Sequence, residues 1–271
     1  MIEIEFNILS PHVHLTVPAT EDSIPIARQV LRSLGETVAA DREALEDAEL
    51  ALTEACANAV EHAYAAGEDG KVVVSIEPKA DEMHVSVRDF GRGMAAGGTA
   101  AGEQRGFGLA MIEGVARRVE IRGGEGTEVV MDFPMGIEEL ATVDGGVPGV
   151  EPAERVLRRL VAVVAAQADM PSDRLMEALL VAELVARYGL RYLVGERVKI
   201  CLDPAGQGFE LRVGPLEPGG ADAVVKETDV PGIGSVVERL ADGVRTESGQ
   251  VDGVDGEFLV LQMTRSANAA A

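Results

Sequence analysis

The sequence predicts an α+β fold, with helices packed on one face of a mixed, largely antiparallel sheet, laid out twice along the chain. Three observations carry this. Helix-patterned stretches alternate with pairs of strand-patterned stretches. Glycine-rich turns stand where a strand ends, Asp89 to Met94, and where a helix starts, Arg105 to Leu109. The outline then returns in the second half, as VLRSL at Val30–Leu34 and VLRRL at Val156–Leu160.

The elements follow in order. His14–Val17 alternates as a short strand and Pro18–Asp22 is a turn. Ile24–Leu34 is an amphipathic helix with Ile26, Val30, Leu31 and Leu34 on one face. Asp41 can cap the next helix, which is rich in Ala, Leu and Glu and ends near the Gly67–Gly70 turn. On it Ala48, Leu52, Cys56, Ala59 and Ala63 share one side, while Glu54, Asn58 and His62 share roughly an 80° sector of the other. Asn is an indifferent helix former, so its place between Glu54 and His62 suggests a polar constellation. Lys71–Pro78 and Met83–Arg88 read as a hairpin. Ala95–Gln104 is rich in Gly and Ala and reads as a lid. A helix runs from Arg105–Leu109 to about Arg118; Val119–Arg122 and Thr127–Phe133 are the last strands of this half.

Composition narrows the function classes. A chain of 271 residues, 46% hydrophobic and 26% charged, makes roughly two ordinary globular domains. Trp is absent and aromatics are 3%, so the cores are aliphatic. A net charge of −22 repels phosphate backbones and argues against nucleic acid as a partner. Cys56 and Cys201 lie inside apolar stretches, which fits reduced thiols of a cytoplasmic protein. MIEIEFNILS is not a signal peptide, and no apolar run approaches the ~20 residues of a membrane span.

The glycine-rich pieces have a chemical reading. DxGxG at a strand end sets Asp89 at a sharp turn, where Gly91 and Gly93 let a flat ligand approach the backbone. A carboxylate accepts hydrogen bonds of the kind adenine's amine donates. Gly106-Phe107-Gly108-Leu109 at a helix start offers unpaired N–H groups for phosphates, and Arg105 adds a charged donor. Asn58 offers an amide oxygen, and Mg²⁺ accepts few protein ligands. Either glycine motif alone is a common tight turn; their order after E-x3-N-x3-H is what is specific.

That set resembles the GHKL family of ATP-binding domains, which share the Bergerat fold, a two-layer α/β sandwich. It is most similar to the anti-sigma-factor serine/threonine protein kinases of the RsbW and SpoIIAB type. The residues carrying the resemblance are TEACANAVEHAY (Thr53–Tyr64), DFGRGM (Asp89–Met94), RGFGL (Arg105–Leu109) and GTEVVMDF (Gly126–Phe133). The resemblance implies ATP and Mg²⁺ as cofactors, with Asn58 on the metal and Asp89 on adenine. It implies Glu54 as the base that activates the acceptor hydroxyl. His62, Gly91, Gly93, Met94, Arg105, Gly106, Phe107, Gly108, Leu109 and Thr127 are the further candidates for holding nucleotide. Histidine kinases would need a phosphoacceptor His on an upstream helical hairpin. None of His12, His14, His62 and His84 fits that, and no transducer domain of the gyrase kind is evident.

The second half repeats the outline without the chemistry. The helix Asp173–Tyr188, the hairpin Val198–Leu202 with Phe209–Val213, a helix opened by Pro231-Gly232-Ile233-Gly234, and the strand Gly256–Met263 follow in the earlier order. The Glu, Asn and His positions fall near Val181, Val185 and Gly189, and DxGxG is replaced by Gly214-Pro215-Leu216-Glu217-Pro218. The expected domains are 1–136, a nucleotide-binding kinase-like domain, and 150–265, a degenerate copy. Residues 137–149 are the expected linker and 266–271 the tail; the two copies are expected to form an intrachain pseudo-dimer, the alternative being an unrelated α+β regulatory domain joined by a flexible linker.

The expected function is an ATP-dependent serine/threonine kinase that acts as an anti-sigma factor. It binds a sigma factor and phosphorylates a STAS-type antagonist. The alternative is a non-catalytic ATP-sensing module that switches a protein partner.

Overall fold

IEIEFN alternates strictly, and it forms strand β1, Ile2–Asn7, with Ile2, Ile4 and Phe6 buried. The structure, a computed structural model, describes residues 1–7, 12–38, 40–65, 67–79, 81–93, 107–135 and 150–266. Two units emerge: Pro11–Ala141, and Met1–Ser10 together with Thr142–Ala271. β1 thus goes with the carboxy-terminal unit, whereas the sequence placed it in 1–136. The expected linker, 137–149, and all of the expected tail except Ser266 lie outside the described residues.

The amino-terminal unit runs β2 (Val13–Pro18), α1 (Ser23–Thr37), α2 (Arg42–His62), β3 (Lys71–Pro78) and β4 (Glu82–Asp89), then α3 (Phe107–Val115), β5 (Arg118–Gly124) and β6 (Gly126–Pro134). Its strands lie in the order β2-β3-β4-β6-β5, every neighbouring pair antiparallel. Alternation sends Val13, Leu15, Val17, Val72, Val74, Ile76, Met83, Val85 and Val87 into the core. Against them α1 buries Ile26, Val30, Leu31 and Leu34, and α2 buries Ala48, Leu52 and Cys56. Helices on one face of an antiparallel sheet make the two-layer α/β sandwich that the sequence predicts.

Helix α2 is capped by Asp41, whose carboxylate accepts from Glu43 N at 3.0 Å and Ala44 N at 3.2 Å. The helix stops at His62, earlier than the Gly67 turn suggested. Long-range contacts draw the chain away there. Ala63 O accepts Arg92 N at 2.9 Å, and Tyr64 Oη donates to Lys71 O at 2.5 Å while accepting Phe90 N at 2.8 Å. Helices α1 and α2 are also joined by a fork from Arg32 to the buried Glu49, with Nε to Oε1 at 2.6 Å and a second bond from Nη2.

The carboxy-terminal unit combines β1 with α4 (Val150–Gln167), α5 (Ser172–Gly189), β7 (Arg197–Ala205), β8 (Gly208–Leu216), α6 (Gly220–Glu227), β9 (Asp229–Val230), β10 (Gly234–Ser235), α7 (Val236–Leu240), β11 (Gly243–Val251) and β12 (Val254–Thr264). Its main strands lie in the order β1-β7-β8-β12-β11, again all antiparallel. Pro231-Gly232-Ile233-Gly234 does not open a helix. It turns the small β9–β10 hairpin, with Gly232 at φ 80° and Gly234 at φ 84°, conformations that interrupt helical winding. Helix α7 starts after it, capped by Ser235, whose Oγ accepts Glu238 N at 3.2 Å. No helix among the described residues is long and apolar enough to cross a membrane.

Candidate nucleotide site

A cavity of about 420 Å³ opens between α2, β4, β6 and α3. It is lined by Ala55, Asn58, Ala59 and His62 of α2 and by Ala63 just past its end. Val87 and Asp89 come from β4, Gly93 from the turn after it, Leu109 from α3, Ile121 from β5, and Thr127 and Val129 from β6. Small side chains on one wall and flat β-branched ones on the other leave a slot for a planar, partly apolar ligand.

Asp89 is 5% exposed. Its Oδ1 accepts Gly91 N at 2.9 Å and Thr127 N at 3.2 Å, which ties the turn to β6 and orients the carboxylate. Both bonds fall on one oxygen, so Oδ2 is left to meet a donor in the cavity. The turn is tight enough to require its glycines. A Cβ on Gly91 would sit 2.0 Å from Ala63 O, and one on Gly126, at φ +84°, 2.0 Å from Asp89 O. Gly126→Ala is therefore expected to destabilise this unit by roughly 2 kcal/mol or more, read as a lowered melting temperature. A wild-type melting curve would refute it.

The start of α3 meets the polar side of α2. A Cβ on Gly108 would lie 2.8 Å from Glu54 Oε2, 3.4 Å from Asn58 Nδ2 and 3.7 Å from Asn58 Oδ1. The carboxylate, the amide and the amino end of α3 thus converge on one spot at the cavity's edge. His62, at the last residue of α2, has a side chain 73% exposed, with Glu61 at 3.9 Å.

Residues 17–133 match the family described as "Histidine kinase-like ATPase domain". The serine-protein kinase RsbW of Listeria innocua is 30% identical over 132 residues, 44% of this chain and 84% of that protein. The chain belongs to the RsbW family. RsbW of Bacillus pumilus is 35% identical over 81 residues, 29% of this chain and 50% of that one. A solved structure of the RsbU and RsbW domains of a Mycobacterium tuberculosis protein is 26% identical over 46% of this chain and 33% of that one, with a TM-score of 0.36.

The resemblance to GHKL domains, read from the sequence, is thus borne out. In this RsbW relative the structure brings Asn58, His62, Asp89, Gly93, Leu109 and Thr127 to one cavity, with Glu54 and Gly108 at its edge. Gly91 shapes the turn from outside. Met94, Arg105, Gly106 and the expected lid lie outside the described residues, as does the side chain of Phe107. The sequence reading missed the apolar walls. It sets Ala59 and Ala63 on the side of α2 away from Glu54, Asn58 and His62, whereas both line the same cavity as Asn58 and His62. Their four-residue spacing with Ala55 was the available signal.

Among the described residues no group of three His, Cys, Asp or Glu side chains could hold a metal. A site resting on one amide suits a Mg²⁺ that arrives with phosphates and keeps most of its water. Cys56 takes no part: it is free, and burial pushes its thiol up to about 12.

Proposed function

We propose that this RsbW relative is an ATP-dependent serine/threonine protein kinase acting as an anti-sigma factor. It would bind a sigma factor and phosphorylate a STAS-type antagonist. The observation that carries the reading is the convergence of Glu54, Asn58 and Gly108 at the edge of a cavity that Asp89 also lines. A nucleotide laid along that line has its adenine amine at Asp89 and its phosphates at the α3 N–H groups. Asn58 would hold a Mg²⁺ brought by the nucleotide, which would neutralise charge on the transferring group. The acceptor hydroxyl oxygen attacks the γ-phosphorus as Glu54 takes its proton, and the bond to the β-phosphate oxygen breaks to release ADP.

The decisive experiment incubates the purified chain with γ-labelled Mg-ATP and the STAS proteins of its own organism. Label on a Ser or Thr of one of them is the expected result. ATP binding without transfer to any of them would instead favour the non-catalytic switch.

Adenine recognition has its own test. Asp89→Asn keeps an oxygen for Gly91 N and Thr127 N but sets an amide against the adenine amine. Affinity for ATP is expected to fall roughly 5–150-fold, the equivalent of about 1–3 kcal/mol for a mismatched buried polar group. ITP, which lacks the amine, is expected to lose much less. Equal losses for the two nucleotides would remove Asp89 from base recognition.

A further inference from the structure

We propose that the carboxy-terminal unit is a second copy of the ATP-binding fold whose nucleotide groove is filled by its own α6. The chain then holds one nucleotide, and the second copy stays closed without one.

The first support is topological. Each unit is an edge strand, two helices, a hairpin, a helical segment and a second hairpin, and in each the second hairpin joins the first through its later strand. The two sequences of neighbours, β2-β3-β4-β6-β5 and β1-β7-β8-β12-β11, correspond member by member. The edge strand of the second copy is β1, supplied from the start of the chain rather than from just before α4.

The second support is side-chain phase. Val72, Val74 and Ile76 on β3 match Val198, Ile200 and Leu202 on β7, a step of 126 residues, all of them buried. The same step carries Met83, Val85 and Val87 to Phe209, Leu211 and Val213. It carries the buried Ala48, Leu52 and Cys56 of α2 to the buried Arg174, Ala178 and Ala182 of α5. Glu54, Asn58 and His62 therefore correspond to Leu180, Leu184 and Tyr188, and Asp89 to Pro215. This places the first three one residue before Val181, Val185 and Gly189, near which the sequence reading sets them. No carboxylate, amide or imidazole remains at any of the four positions.

The third support is what fills the space. Val181, Val185 and Gly189 take the places of the cavity-lining Ala55, Ala59 and Ala63. Two of the three are now larger, and both are fully buried. Helix α6 packs on α5 and β12, the counterparts of α2 and β6 that wall the cavity in the first unit. Its Ala221 and Val224 are fully buried, and a Cβ on Gly189 would lie 3.9 Å from Val224 Cγ2. The sheet register β8–β12 pairs Val213 with Leu259, as β4–β6 pairs Val87 with Val129. Counting two residues back from Leu259, as Thr127 lies two back from Val129, reaches Glu257, though a bulge between Glu257 and Leu259 shifts its pairing by one residue, to Leu216. The Glu257 carboxylate accepts Gly219 N at 2.9 Å and Ala221 N at 3.4 Å, so it caps α6 and sets a negative charge where a nucleotide would enter.

Amide exchange on the whole chain tests this with and without nucleotide. Without nucleotide, Val224 and its neighbours on α6 are expected to exchange at least 10²-fold more slowly than an unstructured peptide, because they already sit in a packed layer. Mg-ATP is expected to slow exchange at Val87–Gly93 and Gly108–Ile112 and to leave Leu216–Glu227 unchanged. Equilibrium dialysis is expected to give one nucleotide per chain, and Asp89→Asn to leave no second class of sites. Fast exchange on α6 without nucleotide, nucleotide-dependent slowing over Leu216–Glu227, or a second site would overturn the proposal. A chain that binds no nucleotide would refute the kinase reading, while exchange on α6 would still decide this one.

Discussion

Glu54→Gln is expected to bind Mg-ATP as the unaltered chain does and to transfer phosphoryl roughly 10²–10⁴-fold more slowly, the usual worth of a general base. The geometry explains the split between binding and chemistry. Glu54 sits at the rim of the cavity, one turn before Asn58, and its Oε2 faces the first turn of α3. Gln fills the same volume and keeps an oxygen acceptor, so packing around Gly108 is preserved. What it lacks is a carboxylate able to take the hydroxyl proton. Single-turnover transfer with nucleotide and acceptor both saturating isolates that step. An unchanged rate would remove Glu54 from the mechanism. Equal loss of binding and transfer would make it a nucleotide ligand instead.

Arg174→Ala is expected to destabilise the carboxy-terminal unit by roughly 3–5 kcal/mol, the cost of leaving a buried charge without its partner. Arg174 is 5% exposed. It donates from Nη2 to Asp242 Oδ2 at 2.6 Å, from Nε to Thr264 O at 3.0 Å and from Nη1 to Leu240 O at 3.1 Å, and it also pairs with Glu177. Asp242 has a side chain only 4% exposed and further accepts Thr264 N and Oγ1. One guanidinium therefore joins the start of α5 to the end of β12 and to the turn after α7. Alanine removes the cation that faces the Asp242 carboxylate, which keeps its bonds from Thr264. Urea denaturation followed by amide exchange on α5 and β12 reads the loss, with ATP binding in the other unit as the internal control. The double variant Arg174→Met with Asp242→Asn is expected to recover part of it, since no lone charge remains buried. A loss below about 1 kcal/mol in the single variant would mean that water reaches Asp242.

The sequence by itself determined the elements that local rules govern. Alternation marked β2 and both first hairpins, Asp41 marked the start of α2, and the fixed order of E-x3-N-x3-H, DxGxG and GFGL marked the candidate site. Each is a matter of periodicity, capping or backbone freedom over a few residues, so each is legible in one dimension. The tertiary structure decided what depends on distant neighbours. Helix α2 ends at His62 because Ala63 and Tyr64 bond to Arg92 and Phe90, partners that no local window contains. Ala55, Ala59 and Ala63 wall a cavity rather than a seam because Val87 and Val129 stand opposite them. In the other unit a one-residue step of helical phase on α5 separates the exposed Leu180 from the buried Val181, and α6 packs on that helix. Strand β1 is the sharpest case. The sequence reading marks no strand there although the pattern alternates; a strand satisfies its N–H and C=O groups on whichever edge is open to it, and only the folded chain shows that edge to be β7, whose residues pair from Asn7 with Arg197 to Ile2 with Leu202.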